Sequence, residues 1–124
     1  MTMIRYTEDH EWIRTETDGT ATVGITGYAQ DALGDIVFVE LPEVGRSVNR
    51  GDVVCVVESV KAAADVKMPI GGIVTAVNSA LVDDPGTVNR DPMNEGWFIK
   101  VRPADPRATE ALMGEAAYLA LTGQ

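Results

Sequence analysis

Two apolar, β-branched runs meet at a short interruption near the middle of the chain. Val53-Val54-Cys55-Val56-Val57 precedes it, and Asp65 to Ile70 follows and ends at Gly71-Gly72, so both flanks read as strand bounded by turns. Between them, Glu58-Ser59-Val60-Lys61-Ala62-Ala63-Ala64 places one lysine near the tip of a predicted hairpin. Surface lysines are common, and in a turn most only keep a loop soluble. An ordinary solvated turn, however, draws on Gly, Asn, Asp, Ser and Pro, whereas Ala62, Ala63 and Ala64 offer neither steric cover nor competing charge. That cleared surrounding makes Lys61 a candidate for chemistry.

The rest of the chain reads as further strands. Residues 4–14 predict a short strand, a Thr7-Glu8-Asp9 turn and a second strand from Glu11, and Thr17-Asp18-Gly19-Thr20 is a turn. Ala21 to Thr26 alternates at period two, as a half-buried strand does. Thr26 then caps a short helix over Gly27–Leu33 with Tyr28, Ala32 and Leu33 facing inward, and Gly34 takes the left-handed position past its end. Asp35 to Leu41 is apolar on both faces and reads as a central strand stopped by Pro42. Residues 51–59 faintly resemble 71–79, which suits two quasi-equivalent strands flanking one exposed turn. Asp83-Asp84-Pro85-Gly86 is a turn, residues 89–96 an irregular loop, and Trp97–Arg102 a last strand. After Pro103 the composition turns to Ala, Glu, Leu and Met, predicting helix over 105–113 and 115–121 with a break at Gly114.

These elements define one domain over residues 1–124, a β core of about 4–102 and a helical segment of about 105–121. The 12 glycines and 6 prolines agree with a turn-rich β body, and 45% hydrophobic residues exclude a disordered class. A formal net charge of −9 with no Lys/Arg cluster argues against nucleic acid and anionic membrane as partners. It favours partners with basic docking surfaces. Neither a secretory nor a transit segment precedes Tyr6, which points to the cytoplasm.

Catalytic apparatus is not recognisable. There is no Gly-x-Ser-x-Gly, phosphate loop, Rossmann glycine pattern or paired metal ligand. The one cysteine, Cys55, sits in an apolar strand as a core thiol. The one histidine, His10, lies beside Glu8, Asp9 and Glu11 without the second His or paired Cys that zinc needs. Asp83 and Asp84 have no further ligands in spacing. Trp12 and Trp97 read as core anchors. A lysine amine with an ordinary pKa near 10.4 is a poor catalyst at neutral pH, but acylation by another enzyme would leave a long, flexible, uncharged arm suited to a group carrier.

The stretch Val57-Glu58-Ser59-Val60-Lys61-Ala62-Ala63-Ala64-Asp65 resembles the lipoylation motif of the glycine cleavage system H proteins. Tyr6–Trp12, Gly24–Pro42 and Asn94–Val101 resemble further blocks of that family in the same order. The resemblance implies a mainly β fold with C-terminal helices, a barrel-sandwich hybrid of two antiparallel sheets, and lipoic acid amide-linked to Lys61. Glu58, Ser59, Val60, Ala62 and Asp65 form the motif around it. It implies a non-catalytic, monomeric shuttle whose lipoyl group carries an aminomethyl group from the pyridoxal-phosphate glycine decarboxylase to the tetrahydrofolate-dependent aminomethyltransferase. Dihydrolipoyl dehydrogenase would reoxidise it, and lipoylating enzymes would install it. In the family a cleft shelters the loaded arm, and Glu11 and Asp65 occupy matching positions. Ala64 stands where the family often has Ser, Met93 where an aromatic is common, and Gly114 near a helix-capping Ser. Two other readings stand beside this one. One is a relay passing lipoyl groups to other acceptors; the other is a biotinyl or dehydrogenase-type lipoyl domain, disfavoured because neither methionines nor a preceding Asp flank Lys61.

Overall fold

Residues 3–123 are described by the structure, a computed structural model of the chain. Strands β1 (Met3–Tyr6), β2 (Glu11–Thr15) and β3 (Ala21–Ile25) form an antiparallel meander. The helix α1 (Gly27–Leu33) leads into β4 (Ile36–Glu40), β5 (Ser47–Val48), β6 (Val53–Ser59), β7 (Ala63–Lys67) and β8 (Gly72–Val77). Two one-turn helices, α2 (Ala80–Asp83) and α3 (Thr87–Arg90), precede β9 (Ile99–Pro103) and the terminal helix α4 (Glu115–Thr122). The strands assemble into a six-stranded sheet of order β1-β2-β3-β9-β8-β5 and a three-stranded sheet of order β4-β6-β7. All pairings are antiparallel. Two antiparallel sheets with a helical C-terminus are therefore what the chain builds, as its sequence predicted.

One core joins the sheets. Val23, Val74, Ile99 and Val101 from the larger sheet meet Val39, Val57 and Val66 from the smaller. A second cluster, Tyr6, Trp12 and Tyr118, seats α4 against β1. Trp12 lies flat over Gly24, its cross-strand partner, where any Cβ would fall 2.8 Å from the indole. Met93 packs against this cluster, filling with a flexible thioether the position where an aromatic was expected.

Several expectations are corrected. β4 is an edge strand, not a central one. A bulge between Ile36 and Phe38 leaves Val37 and Phe38 56% and 45% exposed, so its apolar composition does not report burial on both faces. In α1, Ala29 and Leu33 pack on the core, whereas Tyr28 and Ala32 are exposed. Tyr28 packs at a tilt against His10 instead, with ring centroids 4.6 Å apart and planes 34° from parallel. Residues 51–59 and 71–79 do not flank one turn: β6 and β8 belong to different sheets, and β7 comes between them in the chain. Residues 105–113 form only a 3-10 turn, Ala108–Ala111, before Met113 bridges to Tyr6. The predicted loop over 89–96 begins inside α3, and the last strand starts at Ile99 because Trp97 is taken up by a turn with Asn94.

Candidate functional site

β6 ends at Ser59 and β7 begins at Ala63, so Lys61 is the middle residue of a three-residue tip. Ser59 closes that tip. Its hydroxyl accepts from the amides of Lys61 and Ala62, at 3.1 and 3.0 Å, and donates to the Ala62 carbonyl at 3.1 Å. Its own amide donates to the same carbonyl at 2.8 Å. A serine at the start of a turn offers such local bonds, which satisfy backbone groups that the ladder leaves open. The tip is also tied sideways, since the Val60 amide donates to the Asp35 carbonyl at 3.0 Å.

Lys61 is exposed, and among the described residues no carboxylate lies within ion-pair distance of its amine. Its stem passes over Gly34, where an added Cβ would meet Cε at 3.3 Å. Gly34 ends α1 with φ of 79° and its amide donates to the Gln30 carbonyl, but its ψ of −158° is extended, so it holds a glycine-favouring positive φ without the left-handed helical cap expected of it. Val60 is 67% exposed, and Ala62 and Ala63 are exposed. Ala64 is half-buried and packs on the core, so a hydroxyl there would sit partly out of water. Glu58 is exposed on β6, paired with Phe38 and Ala63, and Asp65 is exposed on β7 opposite Val56.

Glu11 is elsewhere. It is 3% exposed and lines a cleft of about 230 Å³ together with Tyr6, Thr7, Lys67, Met68 and Leu112. The Thr7 hydroxyl donates to one carboxyl oxygen at 2.7 Å, and the Lys67 amide approaches the other at 3.5 Å. Burial pushes the Glu11 carboxyl above the ordinary glutamate value, against the lowering effect of these two donors. Asp65 does not line this cleft; it shares a face of β7 with Lys67, which does. The sequence groups Lys61, Glu58, Ser59, Val60, Ala62 and Asp65, and the hairpin keeps them together. Glu11 reaches β7 through the fold alone.

The other candidates have structural places. Cys55 is buried, and burial pushes its thiol up to about 12. His10 holds a left-handed turn position at φ of 69° and shares a 2.8 Å hydrogen bond with the Tyr118 hydroxyl. Trp12 is fully buried and donates to the Pro92 carbonyl at 2.9 Å, whereas Trp97 is half-buried beneath Lys100. Among the described residues no three His, Cys, Asp or Glu side chains gather as metal ligands. No helix among them is long and apolar enough to cross a membrane.

One residue near the tip gave no sign of itself in the sequence. Asn89 of α3 accepts from the Ile36 amide at 2.8 Å and donates to the Gly34 carbonyl at 2.9 Å and to the Gln30 side chain at 3.0 Å. It sits 28 positions from Lys61 in the chain, in a stretch read as loop.

Comparison with known proteins places the whole architecture. The family model described as glycine cleavage H-protein matches residues 4–124. Glycine cleavage system H protein 1 of Pseudomonas aeruginosa is 56% identical over 118 residues, spanning 95% of this chain and 92% of that protein. The glycine cleavage system H protein of Rhodospirillum rubrum is 50% identical over 124 residues, 100% of this chain and 98% of its own. The crystal structure of a glycine cleavage system H protein from Mycobacterium marinum matches with a TM-score of 0.88 at 42% identity, covering 98% of this chain and 97% of that one. The chain belongs to the glycine cleavage H-protein family.

Proposed function

We propose that this chain is the lipoyl-carrying shuttle of the glycine cleavage system, with lipoic acid amide-linked to Nζ of Lys61. The observation that carries this reading is the exposed lysine at the centre of a closed hairpin tip, with no carboxylate in ion-pair reach among the described residues, in a chain of this family. The residues fit the group: the amine is accessible, the neighbouring alanines leave it room, and the stem is long and unbranched. When bound, lipoate supplies a dithiolane that takes up and releases an aminomethyl group and changes redox state. The chain itself is non-catalytic. Its partners are the pyridoxal-phosphate glycine decarboxylase, the aminomethyltransferase, dihydrolipoyl dehydrogenase and the enzymes that lipoylate Lys61, in the cytoplasm, with the chain as a monomer.

The hairpin's task is presentation. Ser59 and Asp35 hold the backbone, so the reach of the tip is set by the Lys61 stem, and a docked partner meets it at a high effective concentration. The cleft beside β7 is the second part of the proposal. A cationic amine brought there would find the Glu11 carboxylate already oriented by Thr7, with Asp65 on the neighbouring strand face as a further acceptor. Bringing it out of water would protect it from hydrolysis.

Expression with both lipoate and biotin available, followed by intact-mass analysis, tests attachment. The expected result is one lipoyl amide on the wild type and none on Lys61→Arg, and a biotinyl mass would overturn the reading. With the three partner enzymes, the wild type should support glycine–bicarbonate exchange and Lys61→Arg should fall to background.

A further inference from the structure

We infer that Asn89 is a positioning residue for the acylation of Lys61. The inference rests on the lipoyl-carrier reading and concerns how the acceptor lysine is held for the enzyme that modifies it.

The carboxamide of Asn89 uses both its ends on the segment beneath the tip. Its oxygen accepts from the Ile36 amide at 2.8 Å, and its nitrogen donates to the Gly34 carbonyl at 2.9 Å and to Gln30 Oε1 at 3.0 Å. Only an amide supplies an acceptor and two donors from one short side chain. Gly34 and Asp35 are thereby pinned between α1 and β4. These two residues are also the ones that touch the tip: the Asp35 carbonyl accepts from the Val60 amide at 3.0 Å, and the Lys61 stem lies over the bare Cα of Gly34. The path Asn89, Gly34–Asp35, Val60–Lys61 therefore consists of direct contacts. The rest of the tip's support comes from Ser59, which fixes the turn's internal shape, and from the strand ladders below it, where Ile36 pairs with Ser59 and Glu58 with Ala63.

Placement matters for the reaction. In acylation from a lipoyl adenylate, the neutral amine attacks the acyl carbonyl, an N–C bond forms, the C–O bond to phosphate breaks, AMP leaves and the nitrogen loses a proton. The enzyme brings the adenylate, and the carrier brings only the position of Nζ. A tip that drifts from its platform lowers the fraction of encounters with Nζ in reach, which a near-attack geometry does not tolerate. Asn89→Asp is the sharpest probe, because it keeps the acceptor for Ile36 while setting a carboxylate oxygen against the Gly34 carbonyl.

The test uses the full apo chain, a purified lipoate–protein ligase, lipoate and ATP, with intact mass read against time, and amide hydrogen exchange of Val60 read in parallel. For Asn89→Asp and Asn89→Ala the expected result is Val60 exchange accelerated about tenfold and kcat/KM for lipoylation reduced about tenfold. Gln30→Ala removes one partner of the amide and should shift both readouts in the same direction by less; it also carries the test if the Asn89 variants do not fold. Ile99→Val, a core substitution in the other sheet, should leave both unchanged despite lower stability. Folded Asn89 variants with wild-type lipoylation, whether or not exchange accelerates, overturn the inference. So does an Ile99→Val protein that loses rate equally, and so does a Gln30→Ala protein at wild-type values should it be the only folded probe. If the wild type itself takes no lipoyl group, the carrier reading fails instead, a result distinct from all of these.

Discussion

Glu11 shows what a single residue costs and contributes in this fold. Its carboxyl is buried beside Thr7 and the Lys67 amide, and burial raises its folded pKa above the ordinary value of 4.5. A group raised on folding contributes stability that is fully present below its unfolded pKa and lost as pH rises through the folded one. At neutral pH Glu11 therefore costs stability relative to low pH. Glu11→Gln should melt higher than the wild type at pH 7, and the gap should close as pH falls toward the ordinary glutamate range. Thermal unfolding at several pH values checks this, and a variant less stable than wild type at pH 7 would contradict it. Lys61 was legible because chemistry and clearance coincide in adjacent positions. Glu11 was legible as a turn-flanking acid by resemblance only, since its burial arises from β7 and residues 111–113 closing over it. Asn89 was not legible at all: one asparagine in a polar stretch looks like any loop residue until Gly34 and Ile36 are placed against it.

Among the elements, α4 is held at one buried point. Tyr118 stacks on Tyr6 with centroids 4.6 Å apart, and its hydroxyl bonds both Thr26, at 2.7 Å, and His10, at 2.8 Å. Thr26 is also the cap of α1, accepting from the Ala29 amide at 3.2 Å, so one hydroxyl pair links the two helices. Tyr118→Phe should cost about 1–2 kcal/mol, because it leaves buried partners short of a hydrogen bond. Tyr118→Ala should cost about 3–5 kcal/mol through lost aromatic packing. Denaturant unfolding measures both, and a phenylalanine variant equal to wild type would assign the whole anchoring to the stack. The cap at Thr26 and the stop at Gly34 could be read from sequence because they depend on neighbours in the chain. The state of residues 105–113 depends on Met113 pairing with Tyr6 across the fold, which overrode their helical composition. Similarly, the apolar run of β4 could not say which of its faces meets the core, because the bulge at Ile36 and Phe38 breaks the alternation.

For the molecule as a whole, the strand-rich body followed from turn signals and period-two runs and the two-sheet layout from the family resemblance, but the strand order followed from neither. Nothing local tells β9 to insert between β3 and β8, or separates β6 from β8 into different sheets. The net charge of −9 acts at this same scale. It should accelerate encounter with partners that carry basic docking surfaces, and the Debye length shrinks from about 30 Å at 0.01 M to about 8 Å at 0.15 M salt. Association with the lipoylating enzyme or the decarboxylase should accordingly slow several-fold between those salt concentrations in stopped-flow measurements. A rate independent of salt would remove any steering role for the charge.

The closed Ser59 turn sets a clock. With the tip backbone fixed, motion begins at the Lys61 side chain, whose exposed torsions change in picoseconds to nanoseconds. Whole proteins at about 10 μM, meeting at typical rates of about 10⁵–10⁷ M⁻¹s⁻¹, encounter one another only about 1–100 times per second. The swing is thus never the slow step. Flux through such a carrier is governed by how many copies of each enzyme share its volume, and gathering those enzymes closer would raise throughput where a longer side chain would not.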